Sequence, residues 1–185
     1  NDSIEVNSAI LKKKLTESLV SRLSNEVKVG FLISGGIDSS INFSIARKFI
    51  PKNKLYLFFA PSMDKFNKDN HNVSFLKKFY KVKINEVALP RSSNIFKILN
   101  KVVWINDYPL TSVNAINQYL MGVEAKKQNI KILISGQGAD ELFFGYLKYY
   151  SFYLINLLKN KKTIELIKNI FFLIKSNFFA RIKIP

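Results

Sequence analysis

The sequence predicts an α/β fold: a parallel, twisted sheet flanked by helices, followed by a helical C-terminal extension. Three observations lead there. Short apolar runs alternate with segments of helical periodicity between residues 27 and 134. Two of those runs end in turns rich in glycine and serine that open into helical patterns, one at 34–40 and one at 135–146. Beyond Tyr146 the strand-like runs stop, and long Phe- and Leu-rich helical stretches take over.

The elements follow in order. Ala9 to Leu23 reads as an amphipathic helix, because Leu11, Leu15, Leu19 and Leu23 recur every four residues on one face. Val27 to Ile33 is a continuous apolar run of strand length, and Ser39 to Phe49 has helical spacing. Strand Leu55 to Ala60, helix Val73 to Tyr80 and strand Ile84 to Ala88 repeat the alternation. Helices around Ser92 to Val103 and Asn114 to Lys127 precede a last strand, Ile130 to Ile134. Such alternation favours right-handed βαβ crossovers, hence parallel strands. The expected division is a domain over 1–150 and the start of a helical region over 151–185. In that region Phe152, Leu154, Leu157 and Leu158, then Leu166, Ile170 and Leu173, form apolar faces that need cover.

The first turn, Ser34-Gly35-Gly36-Ile37-Asp38-Ser39-Ser40, has the composition of a phosphate-binding loop. Placed between a strand and a helix N-terminus, it offers unpaired amides and the positive end of the helix dipole. Glycines let the backbone approach phosphate, serines add hydroxyls, and Asp38 can hold Mg2+ through its carboxylate. No Gly-Lys-Ser/Thr ending follows, so this is not the loop of kinases and GTPases. An ordinary strand-to-helix turn also carries glycines and serines; what separates this one is strand, loop, Asp and helix in the required order. The second turn, at the same edge of a parallel sheet, would face the same crevice.

Ser-Gly-Gly-x-Asp-Ser resembles the signature of the ATP pyrophosphatases, which transfer AMP from ATP to an oxygen nucleophile and release pyrophosphate. The stretch Ser135-Gly136-Gln137-Gly138-Ala139-Asp140-Glu141-Leu142-Phe143-Phe144-Gly145-Tyr146 is similar to the Ser-Gly-Glu-Gly-Ala-Asp-Glu-Leu-Phe-x-Gly-Tyr signature of glutamine-dependent asparagine synthetases, in their C-terminal synthetase domain. Between them, Trp104-Ile105-Asn106-Asp107-Tyr108-Pro109-Leu110 is similar to that family's Trp-x-x-Asp-Glu-Pro-Leu, with Tyr108 in place of Glu. The resemblance runs from about Leu11 to Tyr150 and implies an adenine nucleotide alpha hydrolase-like fold.

The resemblance also implies a chemistry. Aspartate reacts with Mg-ATP to give an acyl-AMP and pyrophosphate, and ammonia from a glutaminase domain outside this chain then displaces AMP. Carried over position by position, Ser34, Gly35, Gly36, Ser39 and Ser40 cradle pyrophosphate, and Leu32 backs the adenine. Ser135 and Gly136 meet the nucleotide through their backbone, and Asp38 and Asp140 hold Mg2+. Gln137 stands where the family has an acid–base Glu. It keeps the shape and accepts a hydrogen bond but takes no proton, so activation should survive better than amide formation. Glu141 is a candidate to compensate, with support of the fold as the plainer role. The family's catalytic lysine has no matching position before Pro185. Three readings stay open: an asparagine-forming synthetase, a related ligase for another acid or amine such as a sugar or peptide, and a nucleotide-binding remnant.

Composition narrows the rest. The 185 residues hold no cysteine, so they supply neither a thiolate nucleophile nor a disulfide. The net charge of +16 invites a nucleic-acid reading. Yet only Arg22, Arg47, Arg91 and Arg181 among the 29 basic residues are arginines, and the lysines scatter along the chain. Solvated lysine faces, with no nucleic-acid partner, are therefore expected. His71, the single histidine, lies in a polar stretch and is expected to be solvated. The apolar stretch from Ile164 to Phe179 is interrupted by Lys168, Lys175 and asparagines, which argues against a membrane partner. No signal-peptide pattern is visible, so the cytoplasm is the expected location. The chain opens on Asn1 and the resembled family continues past the second motif, so a longer natural protein is expected, with a homodimer left open.

Overall fold

The computed structural model describes residues 4–23, 27–64, 67–90, 94–110, 112, 114–143 and 145–175. The chain divides into two compact units, Asn1–Gly136 and Gln137–Pro185. In the first unit α1 (Ile4–Val20), β1 (Lys28–Leu32), α2 (Ile37–Ala46), β2 (Tyr56–Phe59), α3 (Lys68–Tyr80) and β3 (Ile84–Glu86) follow one another, with a 3-10 turn at Lys52–Lys54. Helices α4 (Asn94–Asn106) and α5 (Asn114–Lys127) then lead to β4 (Ile130–Ile134).

The strands form one parallel sheet in the order β3-β2-β1-β4. Strand β1 is central, pairing Gly30 with Tyr56 on one side and Phe31 with Ile134 on the other. Because α2 carries the chain from β1 to β2, whereas β4 returns to the opposite side of β1, the order reverses between β1 and β4. In open α/β sheets, ligands bind at that reversal, beyond the carboxyl ends of the strands. The two sequence-predicted turns follow just those strand ends.

Both faces of the sheet are covered, which is why the strands read as apolar runs rather than alternating ones. On one face Val29, Phe31, Ile33, Leu57, Phe59 and Ile84 pack with Leu19 of α1, Phe43 and Ala46 of α2, and Val73 and Leu76 of α3. On the other, Phe58 and Ile130 pack with Met121 and Ala125 of α5. Phe43 also meets the Tyr80 ring edge-on at 5.2 Å, and the Arg47 guanidinium lies over the Tyr80 ring at 4.4 Å.

The expected elements are present, with two informative shifts. Helix α3 begins five residues before Val73 because the Asn67 side chain accepts the Asp69 amide 2.8 Å away and caps it. Of the leucine face foreseen on α1, Leu19 is buried, Leu15 is half-buried and Leu11 is exposed, so only the C-terminal part of the helix meets the core.

The second unit contains α6 (Ala139–Phe143), α7 (Leu147–Lys159) and α8 (Thr163–Lys175). Leu157 and Leu173 are buried, and Tyr150 donates to Asn169 Oδ1 across α7 and α8 at 2.9 Å. Burial, then the neighbouring Tyr153, pushes the Tyr150 phenol above its ordinary pKa. Phe152, Leu158, Ile167, Phe171 and Phe172 remain exposed. No helix among the described residues is long and apolar enough to cross a membrane.

Burial separates two phenylalanines that sequence alone does not distinguish. Phe43→Ala should lower the unfolding free energy by about 3–5 kcal/mol, as for truncation of a buried aromatic. Phe75→Ser, on the exposed side of α3, should change it by no more than about 0.5 kcal/mol. Urea denaturation followed by circular dichroism measures both, and equal losses would contradict the assigned core.

Candidate functional site

Residues 34–40 form the turn between β1 and α2, and its shape is set from within. Ser39 is the one buried polar residue among those described, and its hydroxyl sits 3.1 Å from both the Ser34 amide and the Ser34 hydroxyl. The Ser39 hydroxyl also lies 3.3 Å from the Gly36 carbonyl, to which the Ser40 hydroxyl donates at 2.7 Å. The Gly36 amide in turn donates to Ser34 Oγ at 3.3 Å. The serines predicted to meet phosphate thus brace the loop in this structure. No side chain caps α2, so its first-turn N–H groups are not spent on a side-chain acceptor, as an anion-binding helix N-terminus requires.

Two asparagines on neighbouring helices tie the loop down, and neither was singled out from the sequence. Asn72 of α3 donates to the Gly35 carbonyl at 3.0 Å. Gly35 has φ +81°, and a Cβ there would fall 2.6 Å from the Asp69 carbonyl oxygen, so the position requires glycine. Asn42 of α2 donates to the Ser135 carbonyl at 2.9 Å, joining the helix to the end of β4. Gly136 completes the apposition. A Cβ on it would stand 2.9 Å from the Ser39 nitrogen and 3.0 Å from Asp38 Cβ. The two turns therefore touch backbone to backbone. Leu32, Ser34, Gly35, Gly36, Asp38, Ser39, Ser40, Ser135 and Gly136 are gathered at one edge of the sheet in the first unit. A spacing pattern could not reveal Asn42 or Asn72, since each reaches a partner distant in sequence.

Asp38 is half-buried, and among the described residues its carboxylate enters no hydrogen bond or ion pair. A hard cation shared with phosphate oxygens fits such a donor. Among the described residues no three His, Asp or Glu side chains gather into a metal cluster, so phosphate and water would have to supply the remaining ligands.

Gln137, Asp140 and Glu141 belong to the second unit. Gln137 is exposed and engaged in a polar contact. The Asp140 carboxylate lies against Gly145, where a side chain would collide with it, and the Gly145 amide donates to the Asp140 carbonyl at 3.0 Å. This accounts for the glycine five residues after the aspartate. Tyr146 donates its hydroxyl to Glu141 Oε1 at 2.8 Å, and that bond holds the phenol above its ordinary pKa. Of the middle motif, Trp104 is 80% exposed and Tyr108 is 57% exposed, so core packing explains neither. His71 is exposed, as expected.

A parallel sheet with its reversal at β1/β4 and a Ser-Gly-Gly-x-Asp-Ser turn at that reversal define an α/β domain of the ATP pyrophosphatase, or PP-loop, class. The solved NH3-dependent NAD synthetase of Campylobacter jejuni shares the fold, with a TM-score of 0.51 and 16% identity over 75% of this chain and 60% of that one. The family profile described as asparagine synthase matches residues 11–177, and the chain belongs to that family. It is 33% identical over 151 residues to an asparagine synthetase [glutamine-hydrolyzing] of Bacillus subtilis, covering 75% of this chain and 21% of the relative. Asparagine synthetase B of Escherichia coli is 28% identical over 151 residues, covering 76% of this chain and 27% of the relative. The chain thus spans about a quarter of the length of these curated relatives.

The Asn72 tie is open to a direct check. Asn72→Ala removes one exposed hydrogen bond and should leave the melting temperature nearly unchanged. Amide exchange across 34–40 should quicken by about threefold to tenfold, the equivalent of one net hydrogen bond. Exchange at the wild-type rate would show that the loop holds its shape without this tie.

Proposed function

We propose that the chain is the ATP-binding synthetase portion of an amide-forming ligase that activates the aspartate side-chain carboxylate. The observation that carries the reading is the uncapped N-terminus of α2 behind a glycine-lined loop at the sheet's reversal, in a chain of the asparagine synthase family. The loop amides would hold the β- and γ-phosphates while the α-phosphorus stays accessible. One aspartate oxygen attacks that phosphorus and the bond to the bridging oxygen breaks, so pyrophosphate leaves with the electron pair. Mg2+, held by Asp38 together with phosphate oxygens, would neutralise the charge of the departing group, and Asp140 of the second unit is the other carboxylate proposed as a ligand. Ammonia then attacks the acyl carbon, AMP departs, and the nitrogen sheds a proton.

The last proton is where this sequence departs from its relatives' pattern. Gln137 can orient the attacking nitrogen through its amide oxygen but cannot accept the proton. Ser34, Gly35, Gly36, Ser39, Ser40, Ser135 and Gly136 are the proposed nucleotide contacts, with Leu32 behind the adenine. Glu141, already bonded to Tyr146, is assigned to holding its segment in shape. Ammonia would come from a glutaminase domain or partner outside these residues. Gln137 and the exposed Tyr108 favour one second reading, in which the same activation serves a different acid or amine.

The test uses the complete natural chain with Mg-ATP, with and without aspartate and ammonium. Aspartate-dependent pyrophosphate with little asparagine is the expected result, and Gln137→Glu should raise the asparagine formed per pyrophosphate released. Pyrophosphate release only with another acid would select the second reading. No acid-dependent release at all would overturn both.

A further inference from the structure

At the other end of the sheet, where the strands begin, lies an open cleft of about 620 Å3 lined by Lys52, Asn53, Leu55, Tyr56, Lys81 and Lys83, with Asn85 and Gln128 also in its wall. These residues come from the segments entering β2, β3 and β4. The cleft is therefore separate from the turns at 34–40 and 135–136, which follow strand ends. We propose that it binds a small polyphosphate anion, a function beyond the nucleotide chemistry assigned to the loop.

Charge is the first argument. Lys52, Lys81 and Lys83 lie far apart in sequence yet share one cleft, and Lys28 stands at its edge, over the Tyr56 ring at 5.3 Å and bonded to the Gln128 carbonyl. Among the described residues none of these four lysines forms an ion pair. The carboxylates of the adjoining elements are already taken: Glu86 pairs with Lys77 at 3.1 Å, and Glu124 with Lys127 at 3.1 Å. The Lys127 hydrogen bond, aided by Gln128, holds Glu124 below the ordinary glutamate pKa, so it stays committed as an anion. Ammonium groups that line one cleft without counter-charges repel one another, and a multivalent anion relieves that repulsion.

Helix ends do not account for the cluster. Cations favour helix C-termini, and Lys81 sits in that position, just past α3. Lys83 lies beyond the cap, and Lys52 opens a 3-10 turn rather than ending an α-helix.

The remaining lining suits a phosphate compound. Asn85 is fixed, donating to the Leu57 carbonyl at 3.0 Å and accepting from Gln128 at 3.3 Å. Gln128 donates also to Glu124 at 3.1 Å. Asn53 and the half-buried Tyr56 supply neutral polar contacts beside the lysines. The volume falls within the range of roughly 300–1,000 Å3 usual for small-molecule sites. Whether the phosphates come as an inorganic chain or as the tail of a nucleotide, the lysines would meet the same oxygens.

Hydrogen exchange of the 185-residue chain with inorganic tripolyphosphate, and in parallel with ATP, tests this. Tripolyphosphate should protect 52–56, 81–85 and 128. In Lys52→Gln/Lys83→Gln, which keeps the helix-capping Lys81, tripolyphosphate affinity should fall by roughly tenfold or more, while the melting temperature without ligand stays at the wild-type value. ATP protection of the cleft segments would identify a nucleotide source, and ATP protection of the 34–40 loop alone would identify an inorganic one. Tripolyphosphate protection confined to 33–40 and 135–136, or full affinity in the double variant, would overturn the proposal.

Discussion

Close apposition of two backbones organises this molecule. The turn leaving β1 and the turn leaving β4 meet where a Cβ on Gly136 would come within 3.0 Å of Asp38 Cβ. The apposition sets the N-terminus of α2 directly beside the end of β4, at the sheet's reversal. The apposition also explains why the loop spends its own hydroxyls internally. With Ser39 buried and bonded to Ser34, the backbone is fixed before any ligand arrives. A site whose donors are already placed loses little ordering entropy on binding.

That arrangement depends on the core behind it. Phe31 of β1 and Phe43 of α2 are fully buried in the same cluster, so strand and helix enter and leave the turn from rigid positions. Asn72 then pins the turn through the Gly35 carbonyl, and Asn42 joins α2 to the second turn through the Ser135 carbonyl. The part-buried Ser135 carbonyl, so satisfied, avoids the desolvation cost of an unpaired acceptor. At the far end of the sheet the proposed site rests on side chains instead, three of them lysines.

Strands and helices were legible because both faces of the sheet are covered. Four apolar runs of strand length between helical periods admit few other architectures, and β4 and α5 fall on the predicted residues, Ile130–Ile134 and Asn114–Lys127. The start of α3 was not legible, since Asn67 looks like any polar loop residue until its side chain is seen to accept the Asp69 amide. Among site residues, the glycines and serines of the turns announced themselves by composition and order. Asn42 and Asn72 did not, because their partners are 93 and 37 residues away. The cleft lysines read as scattered solvated charge, and they are exposed. Their convergence at one cleft follows from the parallel topology, which brings the starts of β2, β3 and β4 to a common end.

The central claim is that close backbone apposition at Gly136 shapes a nucleotide site, and Gly136→Ala tests it. Calorimetric titration with Mg-ATP, alongside thermal melting, should show a folded variant whose affinity is weaker than wild type by about tenfold or more, since an added methyl must push Ser39 or Asp38 aside. A folded variant binding Mg-ATP as tightly as wild type would contradict the account.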